Sequence, residues 1–333
     1  MSEIENKIQA IGDVLESKIN SELDEYEIDL SAEYPEPKYT LKLSGIGTMP
    51  RGDIQAIKAK SKNGKSFLCS VFIASIFGCK DFSFDSLENN PVVLYFDTEQ
   101  NKRNTAKLAT RVHTLLGWDR KTNHKGFHTY SLRTMDSPQR FPYIQKIVNE
   151  KNPSVIFIDG IADLIDNFND VEQSKRLIDA LMCLSGEKDC CVCCVLHTNK
   201  AKDDSGMKGH LGTLLLQKAS DVFEVKKNKD TFNVSETDCR NTPIDDFAFS
   251  IDGHGIPYPT ANQNEIRGQQ KVEAIKKVLS EVFADKGELS FSDMLRSYEL
   301  HGVVSKSTAK RAIREAKENG FLQVTEKGNY SLS

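Results

Sequence analysis

The sequence predicts an α/β fold, a mostly parallel sheet with helices on both faces, followed by a small helical domain at the C-terminal end. Three observations carry that expectation. Short apolar runs recur at residues 54–57, 92–96, 127–132, 154–158 and 190–196, with stretches of helical character between them. Residues 59–66, Ala-Lys-Ser-Lys-Asn-Gly-Lys-Ser, lie between the first run and the apolar residues 67–77, where a phosphate-binding loop belongs. From residue 271 the pattern changes to short helices and two extended pieces.

A chain of 333 residues has room for two domains. Its net charge of -4 excludes a surface that coats nucleic acid as a whole, so any DNA contact must be local. No run approaches the roughly 20 apolar residues that span a bilayer, and no charged-then-apolar leader opens the sequence. A cytoplasmic protein without membrane contact is the expectation. Of eight cysteines, Cys190, Cys191, Cys193 and Cys194 share one apolar run. On a strand they point to opposite faces, which is wrong for one tetrahedral metal site and right for buried, reduced thiols.

Taken in order, residues 1–30 carry apolar residues at helical spacing and read as an amphipathic helix. Pro35 and Pro37 then make 33–38 a connector. An α/β domain follows over 39–260, with helices at 65–77, up to about 116, at 137–150 and at 171–184. Runs at 220–226, 232–236 and 247–251 alternate without helices and predict an antiparallel extension of the sheet. Residues 261–270 have linker composition, and 271–333 form the last domain. There, helices at 271–283, 291–301 and 305–319 precede extended pieces at 321–324 and 330–332, with Ser305 as N-cap and Gly320 as C-cap.

The chemistry begins in the loop. Successive backbone N–H groups of such a loop point at β- and γ-phosphates, and the helix that follows offers its N-terminus to the anion. The binding stretch comprises Ala59, Lys60, Ser61, Lys62, Asn63, Gly64, Lys65, Ser66 and Phe67. Gly64 lets the backbone approach closely, Lys65 adds a point charge, and the Ser66 hydroxyl is a ligand for Mg²⁺. Ala59 departs from the usual pattern, which has glycine there. Asp159, at the end of a buried apolar strand, fits the carboxylate a Walker B strand places beside the metal, and Glu99, after the run at 92–96, fits a base for water.

With residues 96–100, Ile158-Asp159 and 196–200, the loop resembles the motif set of the RecA-like P-loop ATPases. His197-Thr198-Asn199-Lys200 looks most like hexameric plasmid replicative helicases of RepA type and their relatives on mobile genetic elements. The resemblance covers about residues 40–257 and implies ATP and Mg²⁺ as ligands, with Glu99 as catalytic base. It implies that Asp159 holds the metal through water, and that His197 and Asn199 sense the γ-phosphate. It further implies that the glycine-rich loop at 201–212, with Lys202, Lys208 and His210, grips single-stranded DNA inside a ring of subunits. A cationic finger would come from the next subunit, for which Lys226, Lys227 and Arg240 are the candidates. The last domain resembles a winged helix-turn-helix, which implies duplex contact through Lys306, Lys310, Arg311 and Arg314 on its third helix and Lys327 on the wing. The combined expectation is a Mg²⁺-dependent ATPase acting on DNA as a motor or loader, a homo-oligomer and, in the sense of that resemblance, a hexamer. The alternative is a DNA-binding regulator that uses nucleotide as a switch with little turnover.

Overall fold

The computed structural model describes residues 27–198, 206–325 and 328–333, with the backbone alone over 263–269. The expectations placed on Asn199, Lys202 and Lys327, and most of the helix expected at 1–30, fall outside the described residues. The chain divides into two units, Met1–Lys38 and Tyr39–Ser333. In the first, residues 27–38 carry a turn in which the Asp29 carboxylate accepts from the N–H and the hydroxyl of Ser31, at 2.8 and 2.6 Å.

The second unit opens with a small antiparallel sheet of β1 (Tyr39–Leu43), β2 (Ile46–Pro50) and β4 (Phe84–Ser86). The main sheet has nine strands among the described residues. Six of them, β6 (Phe127–Ser131), β5 (Val93–Asp97), β7 (Val155–Asp159), β8 (Cys191–His197), β3 (Ile54–Ala59) and β9 (Asp221–Asn228), lie side by side in that order and are parallel. Antiparallel β10 (Thr231–Cys239), β11 (Phe247–Ile251) and β12 (Pro257–Thr260) extend its edge.

Helices cover both faces, which is why the central strands β5, β7 and β8 are apolar and buried along nearly their whole length. On one face α1 (Lys65–Ile76) and α2 (Lys102–Leu115) pack with Leu68, Phe72 and Val112 against Ile57, Tyr95 and Phe157, joined by Leu41 and Phe84 of the small sheet. On the other, α3 (Ser137–Lys151), α4 (Val171–Lys188) and α5 (Gly209–Lys218) bring Ile144, Leu181 and Leu211 against Ile54, Phe96 and Ile158. Cys191 and Cys193 belong to the first core and Cys190 and Cys194 to the second, all four fully buried. The run of thiols is a strand that packs two ways.

Three expectations are corrected. The run at 220–226 is antiparallel only to β10: β9 joins the sheet in parallel with β3, because α5 intervenes after β8 and supplies the crossover a parallel strand needs. The loop expected at 201–212 therefore ends in a helix from Gly209. The linker expected at 261–270 is helical from residue 263, where α6 (Gln263–Val282) begins.

In the C-terminal part, α6, α7 (Phe291–Gly302) and α8 (Lys306–Glu318) bury Ile275, Leu279, Met294, Leu295 and Ile313 in a core of their own. Ser290 and Ser305 cap α7 and α8 by accepting from the N–H of Asp293 and Thr308. A hairpin of β13 (Leu322–Val324) and β14 (Tyr330–Leu332) closes this core with Leu322.

Candidate functional site

The parallel register decides which side chains meet. Ala59 pairs with His197, Asp159 with Val195 and Asp97 with Asp159, so the C-terminal ends of β3, β8, β7 and β5 open side by side. Ligands of open α/β sheets bind in such a crevice. A cavity of about 410 Å³ lies there, lined by the loop, Tyr95, Glu99, Arg111, Asp159 and His197 among others.

The loop departs from the usual motif only where the structure tolerates it. Ala59 is the last residue of β3, buried and paired in the sheet, and takes no positive φ. The turn is made further on, at Lys62 with φ 62° and Gly64 with φ 89°. At Gly64 a Cβ would also stand 2.5 Å from the Phe232 ring, so both backbone and neighbour select glycine. Of the expected binding residues, Ser61, Lys62, Gly64, Lys65, Ser66 and Phe67 line the cavity, while Ala59 and Lys60 stand behind them with the Asn63 N–H bonded to the Lys60 carbonyl at 3.2 Å.

Lys65 opens α1 and is buried, with Nζ 2.8 Å from His197 Nδ1. Burial pushes its ammonium pKa down, while the nearby Asp159 and Glu99 carboxylates pull it back up. An ammonium donates only, so Nδ1 accepts and the ring proton sits on Nε2. Nε2 in turn faces the Glu99 carboxylate at 3.3–3.4 Å. This His197 hydrogen bond holds the Glu99 carboxyl below the usual range, against the opposing effect of burial.

The Ser66 hydroxyl donates to Asp159 Oδ2 at 2.6 Å. The Tyr95 hydroxyl, fully buried on β5, donates to the same oxygen at 2.6 Å. Asp97, at the end of β5, accepts from the N–H groups of Glu99 and Gln100 and from the Thr105 hydroxyl, so it fixes the turn that carries Glu99. Thr98 ties that turn to β7: its hydroxyl accepts from the Gly160 N–H at 3.0 Å and reaches Asp163 Oδ2 at 3.0 Å. Burial raises the Asp97 and Asp163 carboxyls above their ordinary values.

Arg111 reaches the cavity from α2. Its guanidinium lies 3.8 Å over the Phe67 ring and bonds the Ser70 hydroxyl at 2.9 Å and the Gly255 carbonyl at 3.1 Å. Burial brings its pKa down to about 10. Sequence reasoning missed Tyr95, Asp97, Thr98 and Arg111. A tyrosine within an otherwise apolar strand was the one signal available, since a buried hydroxyl needs a partner.

The remaining candidates scatter. Lys208 donates its N–H to the His197 carbonyl at 3.0 Å and stacks its ammonium on Phe168 at 4.3 Å, and exposed His210 follows in the first turn of α5. Lys226 pairs with Glu224 at 2.9 Å, and Lys227 lies 5.3 Å over the Phe232 ring beside the loop. Arg240 sits at the other end of β3, bonded to the Lys218 carbonyl at 2.7 Å and to Asp53 at 3.4 Å. Lys306, Lys310, Arg311 and Arg314 are exposed on α8.

The family described as an AAA domain matches residues 20–203. Similar solved structures include an ATPase domain, with a TM-score of 0.49 and 14% identity over 63% of this chain and 86% of that one. The RadB recombinase is similar with a TM-score of 0.48 and 12% identity, over 63% of this chain and 91% of its own. No curated protein matches. The family match spans more than half of the sequence and contains the loop, Glu99, Asp159 and His197. The chain belongs to the AAA domain family and is a P-loop ATPase.

Proposed function

We propose that this chain is a RecA-like, Mg²⁺-dependent ATPase acting on DNA, a ring-forming helicase-like motor or loader for replication, mobilisation or excision of a plasmid or mobile element. One observation carries the hydrolytic part. Lys65, His197 and Glu99 form a continuous polar chain across strand ends, with Ser66 and Asp159 beside it.

The residues present fit MgATP. Ser66 and Asp159 offer hard oxygen donors 2.6 Å apart, the kind of ligand Mg²⁺ takes, and Lys65 meets an imidazole nitrogen rather than a carboxylate. Ser66 and Asp159 would hold the metal. When bound, Mg²⁺ neutralises charge that develops on the phosphate oxygens.

The chain's own groups do the rest. The backbone of residues 60–65 and the Lys65 ammonium bind and orient the β- and γ-phosphates. Glu99, kept ionised by His197, accepts a proton from the attacking water at its carboxylate oxygen. Asp97 and Thr98 hold Glu99 at the phosphate end of the cavity. His197 touches both Lys65 and Glu99, and its carbonyl bonds Lys208, so the γ-phosphate end of the site adjoins the segment proposed to grip single-stranded DNA. Exposed cations on α8 supply a second DNA contact in a winged-helix domain.

A nucleotide switch with little turnover is favoured by Arg240, which is engaged by Lys218 and Asp53 at the far end of β3. Lys226 and Lys227, at the loop end of β9, then remain as finger candidates. Steady-state ATP turnover with and without single-stranded DNA separates the readings. For the motor, DNA stimulates turnover, and Glu99→Gln lowers it by about 100-fold or more with nucleotide binding intact. Absence of both effects overturns it.

A further inference from the structure

The winged-helix resemblance assigns the cations of α8 to duplex contact, but their surroundings are specific. Lys310, Arg311, Arg314 and Lys317 recur at helical spacing along α8 and line a cleft of about 500 Å³ together with Phe291 and Tyr330. Phe291 opens α7 and is 40% exposed. Tyr330 lies on β14, where its N–H and carbonyl both bond to Leu289, at 2.8 and 2.9 Å, so its ring is carried on a fixed backbone. The two rings have centroids 5.9 Å apart and are tilted by 49°. No described carboxylate lines the cleft. Arg314 has a 4.0 Å contact with Glu318, too long to satisfy a guanidinium.

We infer that this cleft binds unpaired DNA, its phosphates on Lys310, Arg311, Arg314 and Lys317 and a base against Phe291 and Tyr330. The inference rests on the DNA-binding reading of the C-terminal domain and specifies the form of the DNA. Four cations with no acid among the described lining residues fit a polyanion. Aromatic rings among those cations decide which one. A duplex hides its base faces in its own stack and has nothing to lay on a ring, whereas a single strand offers phosphates and free base faces together. Stacking tolerates any base, so the cleft would hold a strand without reading its sequence.

The test uses the full-length chain with a dye-labelled oligothymidylate and a blunt duplex of the same length, read by anisotropy over a range of salt. Phe291→Leu combined with Tyr330→Leu keeps apolar bulk and removes the rings. It is expected to weaken oligothymidylate binding by about tenfold or more and duplex binding by less than about twofold. Arg311→Ala combined with Arg314→Ala should weaken oligothymidylate binding and flatten its salt dependence. Loss in the alanine pair without loss in the leucine pair leaves DNA binding by this domain standing and overturns the inference. No loss in either pair overturns both. Tyr330→Phe, which keeps a ring, must bind as the wild type does. Photo-cross-linking of oligothymidylate to the unmodified chain gives a readout independent of folding in the variants. Cross-links at Phe291 or Tyr330 support the cleft, and cross-links confined to other segments overturn it.

Discussion

His197 and Gly160 constrain Glu99, Tyr95 holds Asp159, and each makes a separate prediction. His197 lowers the Glu99 pKa, so the proposed base stays deprotonated to a lower pH than a free carboxylate would. His197→Ala should raise that pKa, and the acid limb of kcat against pH should move to higher pH. Gly160 lies beneath the carboxylate: a Cβ there would stand 2.7 Å from Glu99 Oε1. Gly160→Ala should push the base off its position and lower kcat by about 10- to 100-fold with nucleotide affinity little changed, measured by single-turnover hydrolysis. Tyr95 acts on the metal side. Loss of its hydroxyl in Tyr95→Phe frees the Asp159 carboxylate to turn, so the Mg²⁺ concentration for half-maximal turnover should rise about tenfold at unchanged ATP affinity.

At the level of the element, what the sequence revealed depended on how local the signal was. Glu99, Asp159 and His197 were legible because each ends a buried run, and strand ends of a parallel sheet share one edge. Tyr95 and Arg111 were not, because their partners, Asp159 and Gly255, lie 64 and 144 residues away. The glycines at 206, 209 and 212 made α5 read as a loop, and without a crossover helix β9 was assigned the wrong direction. Gly212 is in fact required by packing, since a Cβ would meet Met207 at 2.5 Å. Polar residues at 263–270 likewise concealed the start of α6.

Two elements carry stability predictions. Ser305→Ala removes the N-cap of α8 and should cost about 1 kcal/mol, seen in thermal unfolding of the C-terminal helices. On β10, burial raises the Glu236 carboxyl to about 7, although its Oε2 accepts from the Ile244 N–H at 2.6 Å. The folded chain thus keeps this proton to a higher pH than the unfolded chain does. Its contribution is full below the ordinary carboxylate value and is lost as pH rises through about 7. Glu236→Gln should therefore flatten the fall in Tm between pH 5 and pH 8. Partial exposure makes that fall shallower than a wholly buried carboxyl would give.

Across the whole molecule, the proposed motor requires subunits to meet. Particle mass by light scattering should rise to that of a ring when ATP and Mg²⁺ are added to the Glu99→Gln chain, which binds without turning over. A mass that stays at monomer or dimer favours the switch. The central strand β8 offers a second global measurement. Burial pushes Cys190 and Cys194 up to about 12 and Cys191 and Cys193 well above the ordinary thiol range, which disfavours the reactive thiolate while the sheet is closed. Cys183 is exposed and Cys239 half-buried. A thiol dye should therefore label those two promptly and Cys190, Cys191, Cys193 and Cys194, like buried Cys69 and Cys79, only as often as the core opens. The slow phase would time spontaneous opening of the nucleotide-binding core, and ATP should lengthen it in proportion to how tightly it binds.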